Sequence, residues 1–103
     1  MALVFETYRV SLSFPADERF GLTAQVRRAA VSIPSNIAEG NGRHHTADYC
    51  HFLSMARGSV KEVETQLMIA EGLQFVTSSE LQRARLLCDE VSRMLTVLQR
   101  RLR

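Results

Sequence analysis

Apolar positions along the chain recur at three- and four-residue intervals, and no stretch alternates with the period of two that a half-buried strand requires, so the pattern predicts helices throughout. From Leu3 to Ser13, Val4, Tyr8 and Leu12 repeat at every fourth residue. Phe14-Pro15 closes this short first helix, because the residue before a proline avoids the helical region. After a turn from Pro15 to Gly21, a second helix runs from about Leu22 to Glu39 with Leu22, Val26, Ala29, Ile33 and Ile37 on one stripe. Gly40-Asn41-Gly42 then offers residues that tolerate a left-handed cap. A third helix starts at a Thr46 cap and extends to Glu71, with Tyr49, Leu53, Ala56, Val60, Val63 and Leu67 among those on its apolar face. Thr77-Ser78-Ser79-Glu80 fits a capping box, and Leu81, Ala84, Cys88, Val91, Leu95, Leu98 and Leu102 form the seam of a fourth helix. Connections of roughly two to eight residues join antiparallel neighbours. The expected architecture over residues 1–103 is therefore a single all-α domain, an antiparallel up-down-up-down four-helix bundle.

One residue works against this pattern. Pro34 lies inside the second helix, where it removes a backbone hydrogen bond and presses its ring on the preceding turn, at a cost of roughly 3 kcal/mol. Burial of the apolar stripe on both sides compensates. Ser32 and Ser35 flank the proline, where their hydroxyls can take up backbone groups that the kink frees.

Composition narrows the class. A chain of 103 residues with 46% hydrophobic and 23% charged residues has enough apolar surface to build a core and is too apolar for a disordered segment. No run of about 18 uncharged apolar residues spans a bilayer, and Met1 to Glu6 lacks the parts of a secretion signal. Cys50 and Cys88 share no close motif and read as reduced core thiols, which points to the cytoplasm. The net charge is only +2, yet twelve of the thirteen basic residues are arginine, which suits planar contacts with carboxylates or phosphates.

The chain carries more apolar surface than one bundle needs. On the third helix, Met55, Ile69 and Leu73 lie on a flank away from the main face, with Met55, Glu62 and Ile69 at heptad steps. On the fourth, Leu86 and Val97 lie behind the seam in line with Glu90 and Arg93. Scattered surface hydrophobes are one reading; the other is a subunit interface built from these rows, in which methionine adapts to helix-to-helix contact. Beside the stripe of the second helix, Gln25, Arg28, Ser32, Asn36 and Glu39 form a polar flank. Arg27 or Arg28 is expected to pair with Glu39, or with Glu62 or Glu64 on the third helix. A network that specifies packing and a ligand site are the two readings of this flank.

Chemical motifs are sparse. His44, His45, Asp48, Cys50 and His51 are metal-ligand types at poor spacing, and no second pair completes a tetrahedral set. Gly40-Asn41-Gly42-Arg43 has neither the preceding strand nor the following Gly-Lys-Ser/Thr of a nucleotide loop. No nucleophile elbow is present, so no catalytic residue, cofactor or metal is expected and the chain reads as a non-enzyme. Arg93, Arg100, Arg101 and Arg103 concentrate charge at the end of the fourth helix, where cations also suit the helix dipole. Repeated around an oligomer, they are candidate contacts for RNA or DNA phosphates.

Several ordered motifs carry a family resemblance. They are Phe14 to Thr23 (FPADERFGLT), Gln25 to Ala30 (QVRRAA), Ser32 to Gly40 (SIPSNIAEG), Phe52-Leu53, and Glu64 to Leu67 (ETQL). The chain resembles the four-helix bundle proteins first noted in intervening sequences of large-subunit ribosomal RNA genes, from about Tyr8 to the end of the fourth helix. The resemblance implies a left-handed bundle that assembles as a homopentameric ring in the bacterial cytoplasm, with no catalytic residues. By position, Arg27, Arg28, Asn36, Glu39, Glu64 and Gln66 match the family pattern and are expected to fix the bundle or its assembly. The family is also similar to the accessory variability protein of diversity-generating retroelements, a basic pentamer that associates with a reverse transcriptase and nucleic acid. This implies self-association, with nucleic acid or another protein as further partners and no membrane. Relatives have a first helix about two turns longer, so Met1 reads as a late start or a trimmed end.

Overall fold

The computed structural model describes residues 1–102, and among them are four α-helices and no strand. The helices are α1 (Ala2–Ser11), α2 (Leu22–Asn41), α3 (Thr46–Gly72) and α4 (Ser78–Leu102), with a single 3₁₀ turn at Ala16–Glu18. α1 packs on α2 and α4, and α3 packs on the same two, so the four close a bundle around one apolar interior; the α2–α3 contact is the most extensive. At 1.5 Å per residue α3 is about 40 Å long, which sets the long axis of a molecule measuring 43 × 24 × 18 Å.

The interior is the expected seam. Val26, Ile33, Leu53, Val60, Val63, Leu67, Leu81, Ala84, Cys88 and Leu95 are all buried, and Ile37, Tyr49, Val91 and Leu98 pack against them half-buried. Burial at about 25 cal/mol per Å² drives this association, and Val26, Ala29, Ala30 and Ile33 hold α2 helical through Pro34. Pro34 has no N–H to give the Ala30 carbonyl four residues back. The flanking hydroxyls bond the carbonyls on either side of that one: Ser32 Oγ to Ala29 at 2.7 Å and Ser35 Oγ to Val31 at 2.9 Å.

Helix ends depart from expectation in four places. The stop of α2 is not left-handed: Gly42 has φ −84°, and no described glycine has a positive φ. The left-handed residue is Gln74, with φ 64°, beyond α3. There the Phe75 N–H reaches the Ala70 carbonyl and the Gln74 N–H the Glu71 carbonyl, both at 2.9 Å, which completes a Schellman motif and brings Phe75 against Phe14. Thr46 is the first helical residue of α3 rather than its cap; His45 occupies the cap without a side-chain hydrogen bond. The capping box before α4 forms as the pattern predicts: the Thr77 N–H donates to Glu80 Oε1 at 2.9 Å, and the Glu80 N–H to Thr77 Oγ1 at 3.1 Å. α2 also gains an unforeseen cap, Glu18 Oε1 accepting from the Leu22 N–H at 3.0 Å.

α1 is rotated from the stripe that its spacing suggests. Val4 is buried, but Tyr8 and Leu12 face out with Met1 and Phe5, the last 66% and Leu12 77% exposed. The inner face carries Leu3 and Val10 together with Glu6, Thr7 and Ser11, polar residues that bury because each is bonded. Thr7 Oγ1 donates to the Leu3 carbonyl at 2.7 Å, and Ser11 Oγ donates to Tyr8 and accepts from Arg27.

Candidate functional site

Two surfaces collect most of the residues that the sequence marks for assembly. The first is an open groove of about 490 Å³ between α2 and α3. The polar flank of α2 supplies Gln25, Arg28 and Ser32; α3 supplies Ser59, Glu62 and Gln66, with Ala29 between. Ser32 and Ser59 share a hydrogen bond of 2.6 Å that ties the two helices together. Met55 and Ile69 lie seven residues before and after Glu62 on α3, 43% and 46% exposed.

The second surface is the outer side of α4. Leu86 and Val97 are 61% and 44% exposed, Met94 is exposed beside them, and Glu90 and Arg93 lie between. Leu86, Glu90 and Arg93 line one shallow depression, and Arg93, Val97 and Arg101 line the next. Arg100 and Arg101 are exposed in the last turn of α4, about two turns beyond the exposed Arg93. The fourth arginine of the expected cluster, Arg103, lies outside the described residues.

The ion pairs expected within the polar flank do not form. Arg27 instead donates from Nε to Ser11 Oγ at 2.7 Å and stacks 4.7 Å from the Tyr8 ring, which joins α2 to α1. Glu39 pairs with Arg43 at 2.7 Å, along the same helix end, and Arg43 also covers the Phe52 ring. Asn36 Nδ2 donates to the Ser32 carbonyl at 2.8 Å inside α2. Glu64 sits half-buried toward α4, its Oε1 3.6 Å from the Lys61 ammonium and beyond hydrogen-bond reach of any described donor. Among the described residues Arg28 and Glu62, on one groove, make no ion pair, and Gln66 Oε1 is buried without a donor.

Two polar joints were not anticipated. Gln99 is buried in the α3–α4 seam, where Nε2 donates to the Cys50 carbonyl at 3.0 Å and to Ser54 Oγ at 2.8 Å while Oε1 accepts from Arg57 at 2.9 Å. Its place four residues after Leu95, on the seam, was the available signal. Glu6 joins α1 to itself and to α4: Arg9 binds it in two-pronged fashion at 2.8 and 2.6 Å, and Arg83 approaches to 3.9 Å. The hydrogen bond from Arg9 holds the Glu6 carboxyl below its ordinary range despite the opposing effect of burial, with the charges of Arg9 and Arg83 assisting. Arg85 bonds Glu71 and Ser78, closing the α3–α4 turn.

The histidines of the α2–α3 turn and the start of α3 are exposed, and Cys50 is half-buried. Among the described residues no three His, Cys, Asp or Glu side chains converge as metal ligands. Cys88 is a buried free thiol whose pKa is pushed up to about 12, chiefly by burial and then by the charges of Glu64 and Asp89. It stays protonated at neutral pH, which removes it as a nucleophile. No described helix is long and apolar enough to cross a membrane.

Compared with known proteins, residues 1–97 match the family model described as 23S rRNA-intervening sequence protein. No curated protein matches the chain.

Proposed function

The chain belongs to the family of 23S rRNA-intervening sequence proteins, and from that premise we propose that it is a non-enzymatic assembly protein of the cytoplasm, a left-handed up-down-up-down bundle that acts as a homo-oligomer, with five copies in a ring. The observation that carries the proposal is the pair of half-exposed apolar rows on α3 and α4, each interrupted by a charge without an intrachain partner. Exposed apolar side chains that include methionine, set beside arginine, are what protein interfaces use. The short connections support the antiparallel order, and the free thiols of Cys50 and Cys88 suit a reducing compartment. Size-exclusion chromatography with light scattering tests the assembly. The expected mass is five times 11.6 kDa, and a monomer at micromolar concentration refutes it.

A second reading has its own observation. Arg93, Arg100 and Arg101 are exposed and make no ion pair among the described residues, so a ring would repeat a basic end without internal neutralisation. Such a field binds RNA or DNA by releasing counterions. Fluorescence anisotropy with labelled RNA at increasing salt is expected to give affinity that falls linearly with log salt. No binding at low salt excludes this role.

A further inference from the structure

We infer that the outer row of α4 in one copy seats in the α2–α3 groove of a second copy of this chain, in a head-to-tail contact. The inference rests on the assembly reading and specifies which surfaces meet. Both surfaces have the same order of chemistry along their length. On α3 the order is Met55, Glu62, Ile69, with fourteen residues or about 21 Å from end to end; on α4 it is Leu86, Glu90 with Arg93, then Val97, over about 16 Å. In each, half-exposed hydrophobes bracket a charged centre.

The charges are complementary and uncommitted. The groove presents Arg28 and Glu62, the row presents Glu90 and Arg93, and among the described residues none of the four forms an ion pair within the chain. Docking sets Arg93 against Glu62 and Glu90 against Arg28, where exclusion of water strengthens both attractions. The outer face of α1, with Met1, Phe5 and Leu12, brackets a charge as well, but that charge, Arg9, is already paired with Glu6 within the chain.

The geometry also dictates the type of contact. α4 packs on α1 and α3 and not on α2, so the row and the groove are separate parts of one molecule. A surface that meets a different surface makes a heterologous contact, which closes as a ring of three or more copies or continues as a filament.

Charge exchange tests the pairing. Glu62 and Arg93 are exposed and make no intrachain contact of note, so reversing either leaves the fold intact, which circular dichroism checks. By light scattering over a dilution series, wild type is expected at three copies or more. Glu62→Arg and Arg93→Glu are each expected to raise the midpoint concentration for dissociation at least about ten-fold, and the two combined in one chain to return it to within about three-fold of wild type. A wild-type multimer whose midpoint is unmoved by the single changes, or a combined variant no better than either, overturns the pairing and leaves assembly standing. A wild-type dimer overturns the head-to-tail arrangement, because two copies make the pairing only reciprocally about a twofold axis. A monomeric wild type overturns both.

Discussion

Replacing Gly40 by alanine sets two opposing effects against each other where α2 lies tight against α3. Gly40 is buried in the last turn of α2, and a Cβ built there would lie 2.7 Å from Phe52 Cβ and 3.0 Å from Tyr49 Cδ1. Its φ is not positive, so the backbone accepts alanine and the helix gains about 1 kcal/mol from the exchange. Against that, carbon atoms pack at about 3.5–4.0 Å, so α3 must retreat by ~1 Å. The nearest atom is a Cβ fixed to the α3 backbone, which cannot swing aside as the tip of a long side chain would. Overpacking of this kind costs about 1–3 kcal/mol, and the helix gain offsets part of it. Gly40→Ala is therefore expected to destabilise by about 1 kcal/mol, lowering the melting temperature by about 4–8 °C. Gly58 provides the control: it lies within α3 with nothing within 4 Å of its would-be Cβ. Gly58→Ala is expected to stabilise by about 1 kcal/mol through propensity alone. Urea unfolding of both variants at one protein concentration measures the difference. Equal stabilisation by the two substitutions would refute the packing argument.

Three further outcomes follow from named geometry. Gln74→Gly relieves a side chain held at φ 64° and is expected to raise stability by up to about 1 kcal/mol in a thermal melt, whereas the same change at Gln82, exposed in α4, should lower it by a similar amount. Glu6 has a folded pKa below its ordinary value of 4.5, so the stability it contributes is complete above that value and is lost as pH falls through the folded value. The urea midpoint of wild type should consequently decline more steeply on acidification than that of Glu6→Gln, and parallel declines would contradict the role of Arg9. With Cys88 buried and its thiol pushed up to about 12, iodoacetamide at pH 8 is expected to modify Cys50 in the native protein and Cys88 only in denaturant, as read by mass spectrometry of the two peptides.

The long helices were legible because their apolar faces agree with their ends. The Thr77–Glu80 box marks a boundary by a mechanism that needs no tertiary context, and the seam of α4 is the one the periodicity predicts. The facing of α1 departs from its spacing because its inner side holds Glu6, Thr7 and Ser11. Polarity normally signals exposure, but internal hydrogen bonds removed that cost here, and the repeat of Tyr8 and Leu12 marked the outside. The same limitation hid Gln99, a polar residue that lies on the seam and is satisfied by three partners. Helical spacing placed Arg28 on the flank beside the apolar stripe, and that flank is one wall of the groove. It could not decide which charges pair, because Arg27 found a hydroxyl and a ring on α1 rather than a carboxylate on α3. Left-handed termination was expected at glycine and occurs at Gln74, where the anchoring of Phe75 on Phe14 outweighs local preference.

The extent of the α2–α3 contact bears on the order in which the chain acquires structure. These two helices are consecutive and separated by only four residues, Gly42 to His45, so bringing them together closes a short loop and forfeits little chain entropy. The α1–α4 contact joins opposite ends of the chain and must close the longest loop in the molecule. Nucleation should therefore centre on the α2–α3 pair, with α4 adding next and α1 docking last onto a scaffold already assembled.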